Sequence, residues 1–360
     1  MLGGMNWDLE TIRRYEALPE AEASERIQAL RAKYGKDVVL LAHLYQRKAI
    51  SDLADFVGDS YGLSQSAAHA EGGKYIVFCG VRFMAESAAI LSRPEQLVVH
   101  PDPEAGCPMA DMASYPEVSR AWKALTAGGK TPIPITYMNS TADIKAFCGE
   151  HGGTICTSSN AGKTFDWAFK QSEQVFFLPD EHLGRNTALK FGIKAHEIAT
   201  WDPDKADGGE PEKYASAKVI LWKGHCPVHQ KFTVRDIEHV RRFYPKATVV
   251  VHPECPREVV DEADAVGSTD FIRKYVAGLA PGSQVFIGTE INLIETLAKQ
   301  HPDREIHKLH RSLCLTMYQI TMGRLLYAME NLEQFDRVIV APETAHYAKV
   351  ALDRMLSLAA

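Results

Sequence analysis

The chain has no apolar run long enough to cross a bilayer, no surplus of positive charge and no closely spaced cysteine pair. Each absence removes a class of answer. A membrane-spanning helix needs about 20 consecutive apolar residues, so no membrane partner is expected. Lys and Arg number 40 against 46 Asp and Glu, a net charge of -6, which argues against a nucleic-acid partner. The seven cysteines are odd in number and widely scattered, so they form no disulfide framework. A reducing, cytoplasmic setting is the expectation. None of them has a neighbour at the Cys-x2-4-Cys spacing usual for structural zinc. Residues 1–35, "MLGGMNWDLETIRRYEALPEAEASERIQALRAKYG", carry acids throughout and lack a signal-peptide core.

What is present is an α/β pattern. The 360 residues, 46% of them hydrophobic, suffice for two or three domains with substantial cores. Short β-branched runs alternate with longer amphipathic stretches: "DVVLLAH", "KYIVFCG", "QLVVHP", "PIPITYM", "QVFFLPD", "KVILWKG", "ATVVVHP" and "SQVFIGTE". Continuous apolar strands separated by helices predict parallel sheets covered on both faces.

The strand ends also repeat. "LLAHLYQ", "PITYMNS" and "VVVHPEC" place His43/Tyr45, Tyr137/Asn139 and His252/Glu254 in matching positions. "FVGDS", "ICTSSN" and "AVGST" end in the hydroxyls of Ser60, Ser158 and Ser268/Thr269. A third set reads "VFCGVRFMAE", "VFFLPDEHLG" and "VFIGTEINLI"; a fourth, "PDPEAGCPM", "WKGHCPVH" and "LHRSLCLTM", holds one cysteine each. Ser60 to Cys79 is 19 residues, Ser158 to Leu178 is 20 and Ser268 to Ile287 is 19. The onward steps to Cys107, Cys226 and Cys314 are 28, 48 and 27, so the middle unit carries a surplus. The polar stretch near 201–217 reads as a surface insertion there. The expected division is an N-terminal helical extension at 1–37, a first unit at 38–115 completed by C-terminal helices at 316–360, a second at 116–235 and a third at 236–315. Units packed about a pseudo-threefold axis would turn their strand ends toward one central cavity.

Cys107, Cys226 and Cys314 then pose a choice. Each alone is a small apolar residue in a core. Together, one per unit, they suit a cuboidal iron–sulfur cluster with one iron lacking a protein ligand. "WKGHCPVHQK" also offers His225, Cys226 and His229 to zinc, but His and Cys at adjacent positions share one tetrahedral ion only with distortion. The hydroxyls likewise read as helix caps or as anion contacts.

The succession "LLAHLYQ", "DFVGDS", "FCGVRFMAES", "GCPMADM", "YMNSTADIKAFC", "ICTSSNA", "LPDEHLG", "GHCPVHQ", "VVHPECPREVVDEADAVGST", "FIGTE" and "CLTM" resembles the quinolinate synthase family of NAD biosynthesis, from about residue 38 to beyond 317. The resemblance implies three α/β domains with pseudo-threefold symmetry and one [4Fe-4S] cluster per chain on Cys107, Cys226 and Cys314. It implies a condensation of iminoaspartate with dihydroxyacetone phosphate to quinolinate, releasing phosphate and two waters. It also implies a link to the L-aspartate-oxidising enzyme that supplies iminoaspartate. Carried over by motif, the substrate contacts are His43, Tyr45, Ser60, Tyr137, Met138, Asn139, Ser158, His252, Pro253, Glu254, Ser268 and Thr269, with His229 near the cluster. Two departures stand out. Leu44 replaces the family's frequent Asn or Tyr, on the strand face opposite His43 and Tyr45. Met317 stands where some relatives have the second cysteine of a Cys-x-x-Cys pair, so that thiol switch is absent.

The chemistry needs proton removal beside a carbonyl, phosphate loss, ring closure and dehydration. Glu254 and Tyr45 are the expected proton movers, with His252 and His43 as orienting groups or acids. Cys79, Cys148, Cys156 and Cys255 are expected to be ordinary core residues.

Overall fold

Apolar runs without polar alternation must be covered on both faces, and the strands that form from them are buried along almost their whole length. The computed structural model describes residues 9–68, 73–209 and 211–359; residues 1–8 of the expected extension, 210 of the insertion and the final residue lie outside these. The chain forms two compact units, Met1–Cys107 with Leu313–Ala341 and Pro108–Ser312 with Pro342–Ala360. Among the described residues no helix is long and apolar enough to cross a membrane.

The first unit holds one sheet: β1 (Val38–His43), β2 (Phe56–Gly58), β3 (Tyr75–Cys79) and β4 (Leu97–Val99), in the order β2-β1-β3-β4. Its core sets Leu40, Val77 and Val99 against Leu325, Leu326 and Met329 of helix Met322–Glu330. Arg324 of that helix pairs with the buried Asp102, and Glu330 with Arg26 at 2.6 Å.

The second unit holds two sheets. One contains β5 (Ile133–Tyr137), β6 (Thr154–Cys156), β7 (Val175–Leu178), β8 (Ile198–Trp201) and β9 (Val219–Trp222), in the order β6-β5-β7-β9-β8. The other contains β10 (Thr248–Val251), β11 (Ala265–Val266), β12 (Gln284–Gly288) and β13 (Glu305–Lys308), in the order β11-β10-β12-β13. Every ladder in the three sheets is parallel.

The sheets share one wiring: the second strand lies on one side of the first, and the third and fourth lie on the other. The surplus of the middle repeat is accounted for by β8, which adds an outer strand beside β9. Trp201 at its end stacks obliquely on Tyr214 at 5.2 Å, and Lys223 ties Asp202 at 2.7 Å.

The end of the chain departs from expectation. Residues 313–341 do join the first sheet's unit, but helix Pro342–Ala359 packs on helix Ala142–Glu150 and β6. Ala348, Ala351, Leu352 and Met355 form its buried stripe. Gly149 permits the approach, because a Cβ there would stand 1.9 Å from the Tyr347 carbonyl oxygen. Thr154 Oγ1 donates to the Ala351 carbonyl at 3.3 Å, and Arg354 donates to that of Gly153.

In this wiring the chain changes direction between the first and third strands of each sheet. Ligands bind beyond the carboxyl ends of parallel strands at such a point. His43 and Tyr137 end β1 and β5, and the His252–Cys255 turn follows β10. Asp180 and Thr289 follow the third strands of the second unit.

Candidate active site

The second unit's site begins at the end of β10. The His252 N–H donates to the Gly288 carbonyl at 3.1 Å, extending the ladder by one residue. The chain then turns, closed by Cys255 N–H to the His252 carbonyl at 3.0 Å. Pro253 presets φ at the second turn position, and Glu254 occupies the third.

Glu254 gathers the neighbouring groups. Tyr137, the last residue of β5, donates its hydroxyl to Oε1 at 2.6 Å. His229 places Nδ1 2.9 Å from Oε2 and Nε2 3.0 Å from Thr289 Oγ1. A carboxylate only accepts, so His229 carries its proton on Nδ1. The His229 and His252 rings stack at 4.4 Å and 18°. His252 Nδ1 lies 3.5 Å from Oε1 and 3.4 Å from the Glu254 N–H. Its protonation therefore selects between a charge contact and accepting from the backbone. Relative exposure is 1% for His229 and 2% for both His252 and Glu254, so these interactions operate away from bulk water.

Burial alone would raise the Glu254 carboxyl. The charges of His229 and His252, with hydrogen bonds from His229 and Tyr137, overcome it and hold the group well below the usual carboxylate range. Asp180 goes the other way. Burial and then the Glu254 charge raise it far above its ordinary value, only partly offset by the N–H groups of Leu183 and His182. Its Oδ1 accepts from both, at 3.2 and 2.8 Å, and caps helix Glu181–Lys190.

The loop after β9 is pressed onto the end of β7. A Cβ at Gly224 would meet the Pro179 carbonyl oxygen at 2.3 Å, and the Glu181 N–H donates to the Gly224 carbonyl at 2.9 Å. The Cys226 carbonyl accepts from His229 N–H and Gln230 N–H at 3.1 and 2.9 Å, which starts helix His229–Lys231. One ligand atom each from Cys226, His229 and Glu254 lies within 4.8 Å of the others, the donor set of a metal site. His225 is not in that group; burial first, and then His182, lowers its basicity.

The cysteines divide in two. Cys107, Cys226 and Cys314 are partly exposed, whereas Cys79, Cys148, Cys156 and Cys255 are buried, and no disulfide joins any of the seven. Burial pushes the thiols of the buried four far up, so they stay protonated, and a protonated thiol is a poor metal ligand. The three partly exposed residues follow the corresponding strands β4, β9 and β13 and stand just before short helices at Pro108–Asp111, His229–Lys231 and Met317–Gln319. Residue type and access thus leave Cys107, Cys226 and Cys314 as the cysteines able to ligate a metal.

The remaining candidates are distributed as follows. Asn139 has a buried Oδ1 with no hydrogen-bond partner among the described residues, an acceptor open to a ligand donor. Met138 is buried and donates its N–H to the Cys156 carbonyl at 2.8 Å. Ser158 and Pro253 line a 720 Å³ cleft with Lys163, Asn186, Arg257 and Gly267. Ser268 Oγ caps helix Thr269–Gly278 by accepting from Phe271 N–H at 3.2 Å, which leaves its own O–H to donate; Thr269 begins that helix and is buried. In the first unit, His43 ends β1 and meets the Tyr45 ring edge-on at 4.8 Å, with Tyr45 N–H donating to His43 Nδ1 at 3.1 Å. Ser60 opens helix Ser60–Ala68. Cys314 Sγ lies 3.5 Å from Thr316 Oγ1.

Tyr137, His229, His252 and Glu254 are thus brought into one network with Cys226 beside it. Thr289 and Asp180, which sequence reasoning passed over, both lie in the third set of strand ends, where Asp180 corresponds to Glu290 as the cap of the following helix.

Residues 25–357 match the family described as quinolinate synthetase A protein. The chain is 50% identical over 362 residues to the quinolinate synthase of Acidobacterium capsulatum, covering 98% of this chain and 97% of that protein. It is 48% identical over 356 residues to the quinolinate synthase of Geobacillus kaustophilus, covering 97% of each. For that of Listeria monocytogenes the identity is 45% over 350 residues, covering 96% of each. The chain belongs to the quinolinate synthetase A protein family and is an enzyme of that type.

Proposed function

We propose that this enzyme condenses iminoaspartate with dihydroxyacetone phosphate to give quinolinate, phosphate and two waters, in the cytoplasm, as a step of NAD biosynthesis fed by an L-aspartate-oxidising enzyme. The observation that carries the reading is the buried Tyr137–Glu254–His229–His252 network with the Cys226 thiol at its edge.

Cys107, Cys226 and Cys314 would hold the [4Fe-4S] cluster, which supplies a Lewis-acidic iron for polarising a substrate oxygen. The protein's own groups account for the rest. Both substrates are anions; the helix starts at Ser60 and Ser268/Thr269, and Ser158 in the turn before helix Ala161–Phe169, offer hydroxyls and backbone N–H groups to carboxylate or phosphate. His43, Met138, Asn139 and Pro253 complete the contacts, with the Asn139 Oδ1 accepting from a substrate donor.

Glu254 and Tyr45 move protons. Glu254 is kept ionised by histidine charge against strong burial. Once His252 gives a proton to a departing hydroxyl, less positive charge opposes burial and Glu254 Oε1 becomes the better base. A proton from the carbon beside the carbonyl can then pass to Oε1, directly or through the Tyr137 hydroxyl. Histidine acid and glutamate base thus work in alternation.

The test is anaerobic turnover by the iron-loaded chain, with quinolinate and phosphate both quantified. Glu254→Gln should lose activity by about 10²-fold or more at unchanged iron content. Near-normal turnover by that variant would remove Glu254 from the mechanism, and no quinolinate from the parent enzyme would overturn the assignment.

A further inference from the structure

Glu254 lies in the turn after β10, whereas Tyr137 ends β5 and His229 follows β9 of the other sheet. Their contacts at 2.6 and 2.9 Å therefore require two sheets to be held in register at one turn. Asn186 bridges them. It lies on helix Glu181–Lys190, which follows β7. Its Nδ2 donates to the Pro253 carbonyl at 2.9 Å and to the Cys255 carbonyl at 3.0 Å, the residues on either side of Glu254.

The helix that carries Asn186 is itself anchored to its own sheet. Asp180 caps its start. Gly184 brings it close, since a Cβ there would stand 2.6 Å from both Leu221 and Phe177 side chains. Asn186 is 5% exposed, and its Oδ1 is buried without a hydrogen-bond partner. The opposite amide orientation would set that oxygen against two carbonyl oxygens, so both donors are committed to the turn.

We propose that Asn186 is the positioning residue for Glu254: one side-chain amide grips the backbone on both sides of it and fixes its carboxylate against Tyr137 and His229. The inference rests on the proton-transfer reading of Glu254. A displacement of about 1 Å at a reacting group is enough to cost about 10²-fold in rate.

The test compares Asn186→Leu and Asn186→Asp in the iron-loaded chain. Leu fills a similar volume without donors, and kcat should fall by about 10²-fold with KM little changed. Asp presents oxygens to the two carbonyls until it is protonated, when one donor returns. Its kcat relative to the parent should therefore rise by about tenfold between about pH 8 and about pH 6. A wild-type kcat in Asn186→Leu, or a flat ratio for Asn186→Asp, would overturn the clamp. Asparagine-selective 15N labelling of the unaltered full chain gives a readout independent of variant folding. The Asn186 side-chain protons should exchange slowly with solvent, and rapid exchange of both contradicts the proposal. Glu254→Gln separates the two ideas: if it stays active, the Glu254 reading fails; if it is inactive while Asn186→Leu is normal, only the clamp fails.

Discussion

Two carboxyls of the second unit, both buried, are driven in opposite directions by what faces them. Glu254 meets two histidines and a phenol, which hold its carboxyl low against burial; burial and then the charge of Glu254 raise that of Asp180. This yields a stability prediction. Above the unfolded value of 3.8, folded Asp180 keeps a proton that the unfolded chain has released, so its contribution to stability declines as pH rises toward its folded value. Asp180→Asn keeps a capping oxygen and has no proton to lose. Its melting temperature should gain on the parent's as pH is raised from about 4 toward 7. Asp180→Ala loses the cap, about 1 kcal/mol. A parent protein that instead gains on Asp180→Asn over that range would show that the carboxyl is ionised in the fold. At this scale the sequence was legible where polar side chains stand at the end of an apolar run, as at Tyr137, His252 and Glu254, which the fold brings into contact. Asp180 was hidden because a cap explains an Asp before a helix, and here it does cap one. Asn186 gives no local signal, since its partners are Pro253 and Cys255 in another sheet.

Elements were legible where they are apolar. Each of the eight β-branched runs quoted in the sequence became a strand. β8 and β13 did not announce themselves: "IATW" runs straight into a polar stretch, and "EIHK" is an edge strand exposed at both ends, with no burial pattern to read. The last helix shows a different limit. Its apolar stripe states that it is covered but not by which unit, and that was decided by Gly149 and the carbonyls of Gly153 and Ala351. Gly149→Ala should therefore cost roughly 1–3 kcal/mol by overpacking and loosen Pro342–Ala359. Thermal melting together with limited proteolysis checks this. An unchanged melting point with no new cleavage near residue 342 would mean that the two helices separate readily at no cost.

At the scale of the molecule, three repeats with a common strand order put one partly exposed cysteine after the corresponding strand of each sheet and bury the other four. The repeat was readable because strand ends recur at nearly constant spacing in the sequence. The distinction in exposure was not, since each cysteine sits among apolar or glycine-rich neighbours. The central claim is that the three partly exposed thiols, and not the buried ones, hold iron. The most direct measurement is anaerobic iron and sulfide content with Mössbauer spectra for the parent chain, Cys226→Ala and Cys148→Ala. The account predicts about four irons per chain in the parent and in Cys148→Ala, with one iron distinct and shifted by a substrate analogue, and loss of the intact cluster in Cys226→Ala. A full cluster in Cys226→Ala, or zinc in place of iron in the parent, would contradict it.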